Sequence, residues 1–158
     1  MAIRFLQGNI LEADAVALVN PVNCIGVMGK GLAAGFKKAF PGNFLAYREA
    51  CSKGELKLGR VYAFTQGDEP VRLIINFPTK DHWRDKSRIW NIRSGLSDLR
   101  RVVLGNSDIR SIAIPALGCG LGGLEWSVVR PRIVQYMSDI AGVDVQVFEP
   151  RPAKGARS

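Results

Sequence analysis

The sequence is poor in several residue types and patterns, and each shortage removes a class of function. It carries one histidine, His82, and three cysteines, Cys24, Cys51 and Cys119, with no C-x-x-C spacing. An odd, scattered cysteine set argues against both a disulfide framework and a structural zinc site, so reduced thiols and no metal are expected. A single histidine leaves at most one candidate for a histidine-dependent triad, and no serine elbow partners it. No apolar run approaches the roughly 18 residues that a membrane span requires. Gln7 and Gly8 interrupt the stretch in which a secretory signal would place its apolar core. The expectation is a cytoplasmic chain. A phosphate cradle is absent as well: there is no G-x-x-x-x-G-K-[ST]. Phosphoryl transfer loses ground.

What is present fits one domain. A chain of 158 residues, 47% hydrophobic, can bury roughly 70% of the surface its unfolded form exposes. The net charge of +8 attracts phosphates, although an ordinary basic surface explains it as well as nucleic-acid contact does. Arg151, Lys154 and Arg157 place part of that charge in residues 151–158, read as a basic tail, disordered or a truncated linker, after a folded body spanning 1–150.

Short β-branched runs alternate with helical patterns, the signature of an α/β sheet covered by helices. Strands are expected at Ile3–Leu6, Ala15–Asn20, Arg60–Thr65, Arg72–Phe77, Ser111–Pro115 and Asp144–Phe148. The second and fifth are continuously apolar and should be central, with the first and last nearer an edge. Helices are expected at Gly31–Phe40, Asn43–Lys53, Arg88–Leu104 and Ser127–Ala141, the third capped by Ser87 and apolar along Ile89, Ile92, Leu96 and Leu99.

Two glycine-rich loops, around Gly26–Gly31 and Gly118–Gly123, each follow an apolar strand and precede a helix. Glycine lets a ligand approach the backbone, and consecutive N–H groups with a helix N-terminus present partial positive charge to phosphate oxygens. One such loop is as readily a tight turn; two on one sheet edge favour a bound diphosphate, because ligands of open α/β sheets sit beyond the carboxyl ends of the strands.

These residues resemble the macrodomain family over nearly the whole chain: Gly8-Asn9-Ile10 after the first strand, Val19-Asn20-Pro21-Val22-Asn23, then Gly29-Lys30-Gly31-Leu32 opening a helix, and Pro115-Ala-Leu-Gly118-Cys119-Gly120-Leu121-Gly122-Gly123. The resemblance implies a three-layer α/β/α fold with a mixed, mostly parallel six-stranded sheet. It also implies ADP-ribose as ligand, with the first loop near the distal ribose, where Asn20 and Asn23 are candidates, and the second around the diphosphate. The family's acidic residue after the first strand, which accepts from the adenine amino group, is here Asn9. Its amide oxygen can accept that bond without the charge.

Lys80, in Pro78-Thr-Lys80-Asp-His82-Trp83-Arg84, falls at a strand end and resembles the catalytic lysine of macrodomains that hydrolyse ADP-ribosyl bonds, in particular the DNA ADP-ribosyl glycohydrolase antitoxins. A lysine works as a nucleophile once desolvation and nearby cations lower its pKa. Arg84, Lys86 and Arg88 would act in that sense and Asp81 against it. Related lysine-dependent hydrolases of protein-linked ADP-ribose carry an aspartate where this sequence has Gly122. Glu125, Asp81 or a water would have to replace it, unless Lys80 acts as a general acid or electrostatic clamp, and the glycine would leave room for a bulky nucleotide substrate. Trp83, in a loop, is the better candidate to stack a base, with Arg84 on phosphate and His82 facing DNA, whereas Trp90 reads as helix packing. Cys24 and Cys119 read as small packing residues.

The expected function is therefore removal of ADP-ribose from ADP-ribosylated thymidine in single-stranded DNA, as antitoxin to a DNA ADP-ribosyltransferase toxin engaged through a domain outside this chain. No cofactor is required and a monomer is expected. An ADP-ribose reader without activity, and a hydrolase of protein-linked ADP-ribose, are the alternatives.

Overall fold

The computed structural model describes residues 3–67 and 71–151. Six strands form one sheet: β1 (Ile3–Leu6), β2 (Ala17–Val22), β3 (Tyr62–Thr65), β4 (Leu73–Pro78), β5 (Ser111–Ile114) and β6 (Asp144–Phe148), in the order β1-β6-β5-β2-β4-β3. All neighbours are parallel except β3 and β4, which run antiparallel. Four α-helices cover the sheet: α1 (Gly31–Ala39), α2 (Pro41–Ser52), α3 (Ile89–Leu104) and α4 (Trp126–Met137), with 3-10 turns at Ile10–Glu12 and Gly120–Gly122.

Side chains alternate across the strands and so divide the core between two faces. Ala17 and Val19 of β2, Ile75 and Phe77 of β4, and Ile112 and Ile114 of β5 pack with Ile92, Leu96 and Leu99 of α3 and Val129 and Ile133 of α4. On the opposite face, Leu18, Ile74 and Ala113 meet Ile10 and Phe36. At Gly95 the α3 backbone lies directly on Phe77, whose ring carbons leave only 2.3 Å to an added Cβ. The expected three-layer α/β fold with a mixed six-stranded sheet is the one observed. Strands β2 and β5 are central, β1 is an edge and β6 lies next to it.

The boundaries differ for physical reasons. Strand β2 runs through Pro21 to Val22 rather than stopping at Asn20, because its pairing with β5 ends at Leu18 and the missing proline N–H interrupts no bond there. Helix α2 starts at Pro41, which sits in the first turn, where an N–H would have no intrahelical partner. Ser87 does not cap α3. Its backbone N–H donates to the Gly122 carbonyl (2.9 Å), and the cap position passes to Arg88, without a side-chain bond. Helix α4 ends at Met137, four residues short of the expected end. Of the tail, residues 152–158 lie outside the described residues. No helix among the described residues is long and apolar enough to cross a membrane.

Candidate functional site

The C-terminal ends of the five mutually parallel strands open into one cleft of about 1150 Å³. After β1, Gly8, Asn9 and Ile10 line it; after β2, Asn23 and then Gly29 to Ala33; after β4, Thr79, Lys80, Trp83 and Arg84; after β5, Pro115 and Gly118 to Gly122; after β6, Phe148 to Arg151. Both glycine-rich loops and Lys80 therefore face one volume, large enough for a nucleotide with a second sugar.

The first loop is shaped by a polar side chain. Asn23 Oδ1 accepts from the Tyr47 hydroxyl (2.7 Å) and from the amides of Ile25 (3.1 Å) and Val27 (3.4 Å), while its Nδ2 donates to the Val27 carbonyl (2.8 Å). The loop then delivers the N-terminus of α1, where Lys30 at the cap position makes no side-chain bond. The first N–H groups of α1 are thus left for a ligand oxygen.

The second loop is shaped by missing side chains. Gly118 has φ +74°, and an added Cβ would stand 2.7 Å from Leu124 Cδ1. At Gly122 an added Cβ would stand 2.4 Å from Ser87 Oγ. Ser87 is buried and its hydroxyl has no hydrogen-bond partner among the described residues. The expectation that Gly122 makes room for a bulky substrate is corrected here, because Ser87, ahead of α3, fills the place of a side chain. Leu121 reaches across the cleft until its Cδ1 would lie 3.4 Å from a Cβ on Gly31, so the two loops meet.

Lys80 Nζ donates to the Trp83 carbonyl at 3.0 Å. Its pKa is lowered, first by partial burial and then by the Lys86 ammonium, against an opposing pull from Asp85. The expected neighbours are therefore right for Lys86, but the opposing carboxylate is Asp85 rather than Asp81. The Lys86 stem lies against Gly123, which ties that charge to the second loop. Neither Asp81 nor Glu125 lines the cleft; among the described residues the one carboxylate that does is Glu149, held by Trp126 Nε1 (3.1 Å). Glu149 follows β6, three strands from β4, roughly 14 Å at ~4.8 Å per strand. It is no partner for Lys80.

Other expected residues fall differently. Asn20 is fully buried, outside the cleft, with Nδ2 donating to Asn76 Oδ1 (3.1 Å). Asn76 in turn exchanges hydrogen bonds with Asn43, so these amides tie β2, β4 and α2 together beneath the loops. Gly123 and His82 do not line the cleft. The His82 Nδ1 accepts from the Arg84 amide (3.1 Å), which organises the loop bearing Trp83. Asn9 caps the first 3-10 turn, its Oδ1 accepting from Leu11 N (3.0 Å) with one lone pair still free. Trp90, expected in helix packing, is 57% exposed. Burial pushes Cys24 up to about 12 and Cys119 up to about 11, in keeping with packing residues. Nothing in the sequence marks the rim Phe148–Arg151, because a strand's end has no composition of its own; Arg151, expected in the tail, lines the cleft.

The family model of the Macro domain matches residues 19–133, which span both loops and Lys80. This chain belongs to the Macro domain family. It is 48% identical to a DNA ADP-ribosyl glycohydrolase of Thermus aquaticus over 149 residues, covering 94% of this chain and 41% of that protein. A DNA ADP-ribosyl glycohydrolase of Mycobacterium tuberculosis is 45% identical, with coverage of 94% and 42%. The chain thus spans about two-fifths of the length of each of these two relatives. Among solved structures, the macrodomain of Mycobacterium tuberculosis DarG superposes with a TM-score of 0.91 at 44% identity, over 94% of this chain and 98% of that one. Thermosipho africanus DarTG in complex with ADP-ribose superposes with a TM-score of 0.88 at 34% identity, over 97% of this chain and 43% of that one.

Proposed function

We propose that this Macro domain binds ADP-ribose in the cleft and releases it from ADP-ribosylated thymidine in single-stranded DNA, with Lys80 as the catalytic residue. The observation that carries the reading is the placement of Lys80, with a lowered pKa, in the same cleft as two anion-cradling loops. The likeness of the domain to proteins named DNA ADP-ribosyl glycohydrolase supports the substrate. Trp83, half exposed at the mouth with the Arg84 guanidinium 5.3 Å from its ring centroid, offers a stacking platform for an unpaired base.

The diphosphate lies on the α1 N-terminus and the 3-10 turn Gly120–Gly122, whose leading N–H groups have no partner within the turn. Glu149, which lines the cleft, is out of reach of Lys80, so the amine itself supplies the electron pair, and its lowered pKa enlarges the neutral fraction that can do so. The amine attacks the anomeric carbon of the distal ribose. The glycosidic bond breaks, its electron pair leaves with the base, and the proton lost from the attacking nitrogen neutralises the base. Opening of the sugar gives an iminium, to which water adds, releasing ADP-ribose and returning the amine. The antitoxin role agrees with a DNA ADP-ribosyl transferase–DNA ADP-ribosyl glycohydrolase fusion protein of Thermosipho africanus, 37% identical over 94% of this chain and 42% of that protein. The three unpaired cysteines fit a reducing cytoplasm.

Lys80→Ala should abolish release of ADP-ribose from a modified thymidine oligonucleotide while calorimetry still detects ADP-ribose binding. Borohydride should trap the wild-type adduct. Undiminished turnover by the variant sinks the role of Lys80. An intact modified oligonucleotide after incubation with wild type identifies a reader, and turnover confined to glutamate-linked substrate identifies a protein hydrolase.

A further inference from the structure

Helix α3 buries Ile92, Gly95, Leu96, Leu99 and Val103. Beside that stripe, Trp90, Arg93, Ser94 and Ser97 fall at i, i+3, i+4 and i+7 and so share a second face. With Tyr136 of α4 they line a depression of about 470 Å³, separate from the cleft. Trp90 is 57% exposed, and the Arg88 guanidinium stands 5.4 Å from its ring centroid. An indole this exposed, beside a guanidinium, offers a free ring face for stacking.

The pairing repeats the one at the cleft mouth, where Arg84 stands over Trp83. Between the two tryptophans the chain exposes Arg84, Lys86 and Arg88. The one acidic residue in that stretch is Asp85, whose Oδ2 is taken by the His82 N–H at 3.0 Å. Seven residues of chain reach at most about 25 Å, so the two indoles lie within a few nucleotides of one another. An indole flanked by a guanidinium, with a second arginine and two hydroxyls beside it, matches a nucleobase and its phosphate: the base stacks, Arg93 meets the phosphate, and Ser94 and Ser97 meet polar edges.

We infer that Trp90, Arg93, Ser94, Ser97 and Tyr136 form a second nucleotide site, which holds an unmodified base of the same single strand whose modified base enters the cleft. The cations of residues 84–88 carry the backbone between the two sites. The inference rests on single-stranded DNA being the substrate, but binding of unmodified strand tests it apart from hydrolysis. Anisotropy of a labelled, unmodified oligothymidine would compare wild type with Trp90→Ala, Trp90→Phe and Arg93→Gln. Trp90→Ala should weaken binding at least about five-fold, the loss of one stacked base, and Trp90→Phe should recover most of it. Arg93→Gln should lower the slope of affinity against salt by about one counterion. With modified substrates, Trp90→Ala should raise the ratio of KM for a long oligonucleotide to KM for the modified mononucleotide. Equal binding by wild type and Trp90→Ala overturns the second site. Weakened binding without any release of ADP-ribose keeps the site and overturns the hydrolase reading; release with undiminished Trp90→Ala binding does the reverse.

Discussion

In the first glycine-rich loop one amide side chain bonds to three backbone groups and a buried tyrosine, and a Cβ added at Gly29 there would meet only Val27. In the second loop the polar contacts are backbone to backbone, Leu124 N to Gly118 O and Ser87 N to Gly122 O, and the shape follows from neighbours that occupy the places of absent side chains. The difference teaches that two loops alike in composition are held by different devices. The first should fail when Asn23 loses its side chain, and the second when Gly122 gains one.

The largest effect expected is therefore that of Asn23→Ala. It strips the Tyr47 hydroxyl of its side-chain acceptor and frees the Ile25 and Val27 amides and the Val27 carbonyl, at about 3 kcal/mol if the buried groups go unpaired. Urea unfolding measures the loss, and ADP-ribose affinity should fall with it. Gly29→Ala in the same loop is the control. An added Cβ there meets Val27 at 3.5 Å, ordinary contact at negative φ, so the change should stay within about 0.5 kcal/mol. A Gly29→Ala cost rivalling that of Asn23→Ala would break the comparison.

The next effect belongs to the second loop. Gly122→Ala should cost about 2 kcal/mol by overpacking against Ser87. In a Ser87→Gly background the cost should largely vanish, and a double-mutant cycle would report that coupling. If the two changes simply add, Ser87 is not what excludes a side chain at 122. Should they couple, Gly122→Asp together with Ser87→Gly becomes the variant in which to ask whether a second-loop carboxylate can assist Lys80.

This pair also marks where the sequence stops being legible. The sheet and most helices announce themselves locally: continuous apolar runs gave the two central strands, and an Ile92/Leu96/Leu99 spacing gave α3. Both glycine loops and Lys80 were visible as motifs after strands. Ser87 and Gly122 are 35 positions apart, and neither looks unusual in its own neighbourhood; a serine before a helix reads as a cap. Asn20 misled for the same reason. An asparagine next to proline in a ligand-proximal loop is locally indistinguishable from one that bonds to Asn76 under the sheet end. Trp90 differs, because helical spacing places it on a face without saying what covers that face.

A third effect concerns charge, which Lys86 brings to the second loop from the segment after β4. The Lys86 stem lies against Gly123 while its ammonium lowers the Lys80 pKa, and Asp85 raises it. Catalysis by the neutral amine rises as pH climbs through the Lys80 pKa. Lys86→Gln, which removes a lowering influence, should move that rise to higher pH, and Asp85→Asn should move it to lower pH. A profile of kcat against pH that moves in neither variant would mean that another group titrates in the rate-limiting step.

The smallest effect compares the loops through their own thiols. Burial holds Cys24 in the first loop at about 12 and Cys119 in the second at about 11, against an ordinary 9.0, with Asp81 adding to the shift at Cys24. Both folded values lie above the unfolded one, so the stability these thiols contribute is complete below pH 9. It is lost as pH rises through the folded values. At pH 8 both should react slowly with iodoacetamide, and Cys119 faster than Cys24 by mass-spectrometric counting of adducts. The order should invert in Asn23→Ala, because that substitution loosens the loop in which Cys24 is buried and leaves the loop around Cys119 untouched. Retention of the original order would mean that burial of Cys24 does not depend on Asn23, and that the first loop is held by more than its one side-chain hub.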